Sequence, residues 1–231
     1  MAGRYALYYV PGADSEIYAL GAGLLGRCVY SGRRLARPAL AGVSEEEIVR
    51  HTLKASVYGF HGTIVAPFES PASERELAAA AETAARSFRP VPLGRIRLAA
   101  VNGSFAALRP EAAPEALSRL EDQCVRVFSR FRRPLKKSDL DRRGPLPPRL
   151  RANLIRWGYH LVLDDFQFHL TVADSLPEAP GVFLKALESY LAPALERPLS
   201  IDRLALLHQP SGGRPFLCRR IFSLQDDENE Q

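Results

Sequence analysis

Tyr58-Gly59-Phe60-His61-Gly62-Thr63 and Phe166-Gln167-Phe168-His169-Leu170-Thr171 decide how this chain is read, because each contains Phe-His-x-Thr and the two histidines stand 108 residues apart. The chain has five histidines and four threonines (Thr52, Thr63, Thr83 and Thr171), so the pattern takes up half of the threonines. A repeat built from such scarce residues marks a duplication rather than a coincidence. Each copy lies in an apolar, β-rich segment, Val57 to Phe68 and Phe166 to Ala173. Alternate side chains of a strand face opposite ways, so Phe60, Gly62 and Ile64 are expected on one face and His61, Thr63 and Val65 on the other. By the same rule Phe168, Leu170 and Val172 turn inward, while Gln167, His169, Thr171 and Ala173 look into a cleft. Each strand then presents one imidazole and one hydroxyl.

Outward from these segments, strand and helix signals alternate in two similar batches. Before the first copy come a strand (Arg4 to Val10), a helix (Ser15 to Gly26), a Pro/Gly/Arg-rich loop, and a short helix opened by Ser44-Glu45-Glu46-Glu47, a capping box with acids where the helix dipole favours them. After it come a helix from Ser73 with an alanine-rich body (Leu77 to Arg86) and the strands Ile96 to Val101 and Phe105 to Leu108, joined by an Asn102-Gly103 hairpin turn. The second batch has a helix from Pro114 to Phe131, a basic Pro-containing stretch, a helix from Arg149 to Trp157 and the second motif. A helix (Val182 to Leu191) and the strands Ile201 to His208 and Phe216 to Leu224 complete it. This order predicts an α+β fold, duplicated and bilobal, with two mostly antiparallel sheets flanking a central cleft and helices outside. Residues 1–225 are expected to form one domain with interleaved lobes and motifs at 60–63 and 168–171, and residues 226–231 an acidic disordered tail.

Composition narrows the class. A chain of 231 residues with 46% hydrophobic content can bury a sizeable core. No run reaches the roughly 18 apolar residues of a membrane helix, and the apolar stretch Tyr5 to Val10 ends at Pro11-Gly12-Ala13-Asp14, as a first strand does and a signal peptide does not. Cys28, Cys124 and Cys218 are odd in number and widely spaced, which fits a reducing cytoplasm. The net charge of +5 is uneven: Arg132 to Arg156 holds nine Lys or Arg against Asp139 and Asp141. Such a block attracts phosphate, although a solvated loop and helix face is its blander explanation.

Two facing histidines suit phosphoryl chemistry. Opening a cyclic phosphodiester needs a base for the attacking water and an acid for the leaving oxygen, and imidazole serves either role near neutrality. Thr63 and Thr171 hydroxyls would hold the charge that gathers on the non-bridging oxygens. A single histidine in an apolar strand is more often a satisfied core residue, and only the duplication reverses that weighting. Asp164, Asp165 and Asp174 near His169 raise a metal site as a competitor. No close ligand spacing supports it, so neither metal nor cofactor is expected. His51 is read as a helix C-terminal residue, His160 as a loop residue and His208 as the end of a strand. Lys54, Arg151 and Arg156 are candidate anion contacts by charge and nearness in sequence, with surface residues the competing reading.

These residues together resemble the two-histidine (2H) phosphoesterase superfamily, which includes 2′-5′ RNA ligase-like proteins and cyclic nucleotide phosphodiesterases. Arg4-Tyr5-Ala6-Leu7-Tyr8-Tyr9-Val10-Pro11, Leu25-Gly26-Arg27, the first motif, and Arg156-Trp157-Gly158-Tyr159 ahead of the second are similar to a DUF1045-like subgroup associated with phosphonate-breakdown genes. The resemblance implies a bilobal fold and metal-independent hydrolysis of a cyclic phosphate or related phosphodiester. It gives His61 and His169 as catalytic, Thr63 and Thr171 as phosphate-binding, and a ribose cyclic phosphate as substrate. Where the subgroup carries a lysine, an arginine and a proline, this chain has Val65, Gln167 and His160. Positions 65 and 167 fall on the expected cleft faces, so two positive charges are missing from where a second phosphate of a substrate would bind, which implies retained chemistry on a different substrate. The partner expected is a small phosphorylated substrate or an RNA end, acted on by a monomer away from membranes. An RNA-binding, RNA-end-recognising or ligating module that uses residues 132–156 is the alternative.

Overall fold

The computed structural model describes residues 3–141 and 143–225; the tail expected at 226–231 and Arg142 lie outside them. β1 (Arg4–Tyr9) is the strand on which the rest is assembled, with residues 6 to 9 buried. It pairs antiparallel with β2 (Gly62–Glu69) on one edge and with β8 (Arg203–Gln209) on the other. With β4 (Ile96–Val101), β5 (Phe105–Pro110), β6 (Leu170–Ala173) and β9 (Leu217–Ser223), these strands form a seven-stranded sheet in the order β4-β5-β6-β2-β1-β8-β9. All of its pairings are antiparallel. β3 (Val91–Gly94) and β7 (Leu199–Ile201) make a second, two-stranded antiparallel sheet. The expected α+β class with antiparallel sheets is adopted, and the strands divide into one large sheet and one small one.

The large sheet has a seam. Its two parts, β4-β5-β6 and β2-β1-β8-β9, meet at one registered pair, Gly62 opposite Leu170. Each part takes strands from both ends of the chain, since β4 and β5 pair onto β6 while β8 and β9 complete β1. The helices are α1 (Glu16–Leu25), α2 (Glu45–Tyr58), α3 (Glu74–Ala85), α4 (Glu115–Ser129), α5 (Lys137–Asp141), α6 (Pro148–Trp157) and α7 (Gly181–Leu195). α1 packs on α2, α7 and β6, whereas α3 packs on α4, β8 and β9, and α4 on β2. Both capping boxes are complete, Ser44 with Glu47 and Ser73 with Glu76. The Asn102-Gly103 turn joins β4 to β5 with both residues at positive φ, 50° and 64°.

Around the motifs the structure departs from strand-only expectations. The helix opened at Ser44 runs to Tyr58, so residues 57 and 58 are helical despite their β-rich sequence. Gly59, at φ 79°, stops it, and a Cβ there would sit 2.8 Å from Val29 Cβ. His51 is therefore a buried mid-helix residue and not a C-terminal one; its Nδ1 lies 3.0 Å from Ser175 Oγ. β2 begins at Gly62 and β6 at Leu170, so each histidine stands one residue ahead of its strand. β3, β7, α5 and a 3-10 turn at Leu163–Asp165 add short elements that hydrophobic periodicity does not signal.

Candidate active site

Each histidine precedes its strand because the phenylalanine before it is anchored. Phe60 is fully buried with its ring on Gly21 of α1, where a Cβ would overlap it. Phe168 is 4% exposed, and its ring lies over Gly62, the x residue of the other motif. The two motifs therefore interlock: the Phe of the second occupies the space that the Gly of the first leaves open, beside the Gly62–Leu170 pair. Asp174 and Ser175, just past β6, fasten this end to α2, with Asp174 Oδ2 accepting from Ala55 N (2.8 Å) and Asp174 N donating to His51 O (2.7 Å).

His61 and His169 line one cavity of about 520 Å³, together with Thr63. Its floor is β1 and β2 (Arg4, Tyr8, Thr63 and Ala66 to Glu69), and residues of the 132–143 segment and the end of α6 (Leu154, Gly158, Tyr159) cover it. The volume is of the size that takes a small ligand. The His61 Nδ1–H donates to Gly59 O (2.8 Å) and the His169 Nδ1–H to Gln167 O (2.7 Å), each carbonyl two residues upstream. A carbonyl can only accept, so both tautomers are fixed with the proton on Nδ1 and the lone pair on Nε2. His61 Nε2 is 3.3 Å from Thr63 Oγ1. The ring of His61 stacks on Tyr8 at 3.7 Å, and that of His169 lies 5.4 Å from Phe105.

Burial pushes the His61 imidazole down to about 4, with the His169 and Arg27 charges adding to the fall and the Gly59 bond opposing it. His169 is also held below its ordinary value, by burial first. Both rings are thus neutral at neutral pH, and an anion between them would draw a proton onto one.

The other expected site residues are placed elsewhere. Thr171 follows His169 on β6 opposite Ala107, and is not among the residues lining the cavity. Lys54, Arg151, Arg156 and Gln167 are exposed and do not line it, and the Arg156 guanidinium stacks 4.7 Å over Trp157. Val65 is buried and off the expected cleft face. The reason is a register shift: Tyr8 opposes Thr63 but Leu7 opposes Val65, so one extra residue enters β2 and strict alternation ends after Thr63. Gln167 escapes the alternation rule because residues 166 to 169 are not in a strand.

Alternation and local charge also miss Arg4, Tyr8, Arg132, Arg143 and Tyr159, all of which line the cavity. Arg4 and Tyr8 lie within β1, and Arg132 and Arg143 within the basic block, but only the fold selects them from their neighbours. Arg133 is committed to Glu69 and to Asp139 (2.9 Å), and its N–H donates to Glu69 O (3.0 Å), so it clamps the covering segment onto the end of β2. Of the aspartates near His169, Asp165 accepts from Arg149 and Asn153 (both 2.9 Å), and Asp174 is bound to Ala55. Among the described residues no three or more His, Cys, Asp or Glu converge as a metal site needs. No helix among them is long and apolar enough to cross a membrane.

An α+β chain that joins two duplicated His motifs at one cavity is the class that fold and site define. A model of the family described as "Protein of unknown function (DUF1045)" matches residues 63–217, and the chain belongs to that family. It is 31% identical over 223 residues to a protein of Janthinobacterium sp. (strain Marseille) named ribose 1,5-bisphosphate phosphokinase PhnN, covering 93% of this chain and 49% of that protein. A protein of the same name from Laribacter hongkongensis (strain HLHK9) is 31% identical over 226 residues, covering 96% and 52%. The chain thus spans about half the length of these curated relatives. Among solved structures it is similar to E. coli LigT complexed with 3′-AMP, at 13% identity and a TM-score of 0.47 over 98% of this chain and all of that one. A structure described as a phosphoesterase has 12% identity and a TM-score of 0.44 over the same shares.

Proposed function

We propose that the chain is a phosphodiesterase that hydrolyses a cyclic phosphate or a related phosphodiester through His61 and His169, without a metal ion. One observation carries this: both imidazoles line a single cavity with Nδ1–H held by a backbone carbonyl, which makes Nε2 the reactive nitrogen, at His61 within 3.3 Å of the Thr63 hydroxyl. One neutral Nε2 takes a proton from water as its oxygen adds to phosphorus. The other ring, protonated, gives its proton to the ester oxygen as that P–O bond breaks, leaving a phosphate monoester and an alcohol. The Thr63 hydroxyl, 3.3 Å from His61 Nε2, turns its proton from that nitrogen to a non-bridging oxygen as charge develops there. Thr171 is a second such donor only if substrate draws it in. The substrate class is a ribose cyclic phosphate. The relatives' name concerns ribose 1,5-bisphosphate, and ring opening of a 5-phosphorylated ribose cyclic phosphate yields a ribose bisphosphate.

The test is turnover of 2′,3′-cyclic nucleotides in the presence of a chelator, beside the double variant His61→Ala, His169→Ala. Chelator-resistant hydrolysis that each single substitution lowers on the order of 10²-fold or more is expected. Salt-sensitive RNA binding without turnover would instead favour the recognition module, and hydrolysis abolished by the chelator would reject the metal-free route.

A further inference from the structure

The cavity holds more positive charge than hydrolysis at one phosphorus uses. Four arginines and two carboxylates line it, and both carboxylates, Glu69 and Asp139, are engaged by Arg133 alone among those four. Arg4, Arg132 and Arg143 have no carboxylate partner among the described residues. Their heads are held instead by ring faces, a backbone carbonyl and a side-chain amide oxygen. The Arg132 guanidinium lies 5.3 Å over Phe68, packs against Gly158 where a Cβ would overlap it, and donates to Gly158 O (3.2 Å). Arg143 lies 5.1 Å over Tyr159. Arg4 donates to Gln209 Oε1 (2.8 Å) and lies 5.4 Å over Phe216.

A guanidinium has five N–H donors, and Arg132 uses one hydrogen bond to the protein among the described residues. Burial holds its pKa down to about 10, a sign that the cation is poorly solvated where it sits. A cation fixed by apolar contacts, short of acceptors and facing a ligand-sized hollow is completed by an anion from outside. Positions 65 and 167 do not line the cavity, so the uncharged residues there do not remove a second phosphate site, contrary to the expectation drawn from the cleft faces.

We propose that Arg132, with Arg4 and Arg143, forms a second anion site in the cavity, which binds a terminal phosphate monoester of the substrate while the phosphorus to be attacked lies between His61 and His169. The inference rests on the hydrolase reading and narrows it: the substrate is a small sugar cyclic phosphate that bears a separate phosphate monoester. A monoester brings up to two negative charges to three cations, where the diester of an RNA chain brings one.

The experiment compares kcat/KM for 2′,3′-cyclic AMP and for the same compound phosphorylated at its 5′ oxygen, in the native protein and in Arg132→Gln and Arg143→Gln. A preference of at least about tenfold for the 5′-phosphorylated compound is expected, falling to within about threefold of unity in either variant. Arg143 is exposed, so Arg143→Gln decides the matter even if Arg132→Gln does not fold. Equal kcat/KM for the two compounds in the native protein overturns the proposal, as does a preference that survives in both folded variants. Faster turnover of an RNA oligonucleotide ending in a 2′,3′-cyclic phosphate, without a 5′ phosphate, overturns the small-sugar assignment.

Isothermal titration with inorganic phosphate separates this from the catalytic reading, because it needs no turnover. The His61→Ala, His169→Ala protein should still bind phosphate, and adding Arg132→Gln and Arg143→Gln should abolish that binding. If neither cyclic phosphate is hydrolysed while this arginine-dependent binding persists, the hydrolase reading fails and the anion site stands. Phosphate binding unchanged by the arginine substitutions overturns the site.

Discussion

His61 and His169 are legible as a pair in the sequence because Phe-His-x-Thr recurs; what sequence does not show is how each ring is protonated. That depends on the Gly59 and Gln167 carbonyls, which fix the tautomers, and on burial, which lowers both pKa values. A lowered pKa makes the protonated acid the scarce form, so kcat/KM should rise as pH falls from 8, peak below the ordinary histidine value of about 6.5, and decline as the base itself gains a proton towards pH 4. A pH–rate profile with its maximum above 7.5 would contradict this assignment. Glu121, fully buried on α4, behaves in the opposite sense. Burial raises its carboxyl to about 8, and it accepts from Leu163 N at 3.1 Å. The folded chain keeps this proton after the unfolded chain has lost it, so stability is whole below about pH 4.5 and drains away as pH rises through 8. Glu121→Gln should melt with the native protein at pH 4.5 and several degrees above it at pH 8.5, as followed by circular dichroism. Identical melting temperatures at both pH values would show that burial does not govern this carboxyl.

At the scale of elements, helices announced by capping boxes and periodicity are found where expected, while the strand ends around the motifs are not. The reason is physical: α2 wins residues 57 and 58 because its cap and its packing extend it to Gly59, and a bulge in β2 moves Val65 into the core. Arg27 holds this junction. It is 6% exposed and donates to Ser56 O (2.7 Å), Val57 O (3.1 Å) and Phe216 O (2.9 Å), so it caps the end of α2 and ties it to the start of β9. Arg27→Met takes the guanidinium donor from the Ser56 and Phe216 carbonyls, while Val57 O keeps the Phe216 N–H (2.8 Å), and should cost at least ~2 kcal/mol, measured by denaturant unfolding. A loss below ~1 kcal/mol would mean that water replaces the guanidinium. Gly62→Ala tests the interlock of the motifs. A methyl group there meets the Phe168 ring, so stability should fall by ~1 to 3 kcal/mol and kcat should fall with it, because moving Phe168 moves its neighbour His169.

For the molecule as a whole, the α+β class and the duplication are readable from the alternation of elements, but the wall of the cavity is not. Nearness along the chain selects Lys54, Arg151 and Arg156; folding selects Arg4, Arg132 and Arg143, which come from a first strand and a loop more than a hundred residues later. Local charge density marks the basic segment without saying which of its arginines turn inward, and five of its other cations (Lys136, Lys137, Arg149, Arg151, Arg156) do not line the cavity. An excess of arginine over carboxylate around a ligand-sized space should draw anions from a distance. Raising ionic strength from about 0.05 to about 0.5 M should therefore increase KM several-fold and leave kcat nearly unchanged, and a KM indifferent to salt would disprove that field. The weave of the large sheet has a consequence for biosynthesis. β1 precedes β8 and β9 in the chain, with every other strand of the large sheet synthesised between them. A nascent chain stalled after His169 would own both imidazoles but not the strands that brace Arg4 and Tyr8 from behind. The sheet that carries Arg4 and Tyr8 is thus complete only after β8 and β9 have left the ribosome, and a product truncated before them should lack activity rather than keep half of it.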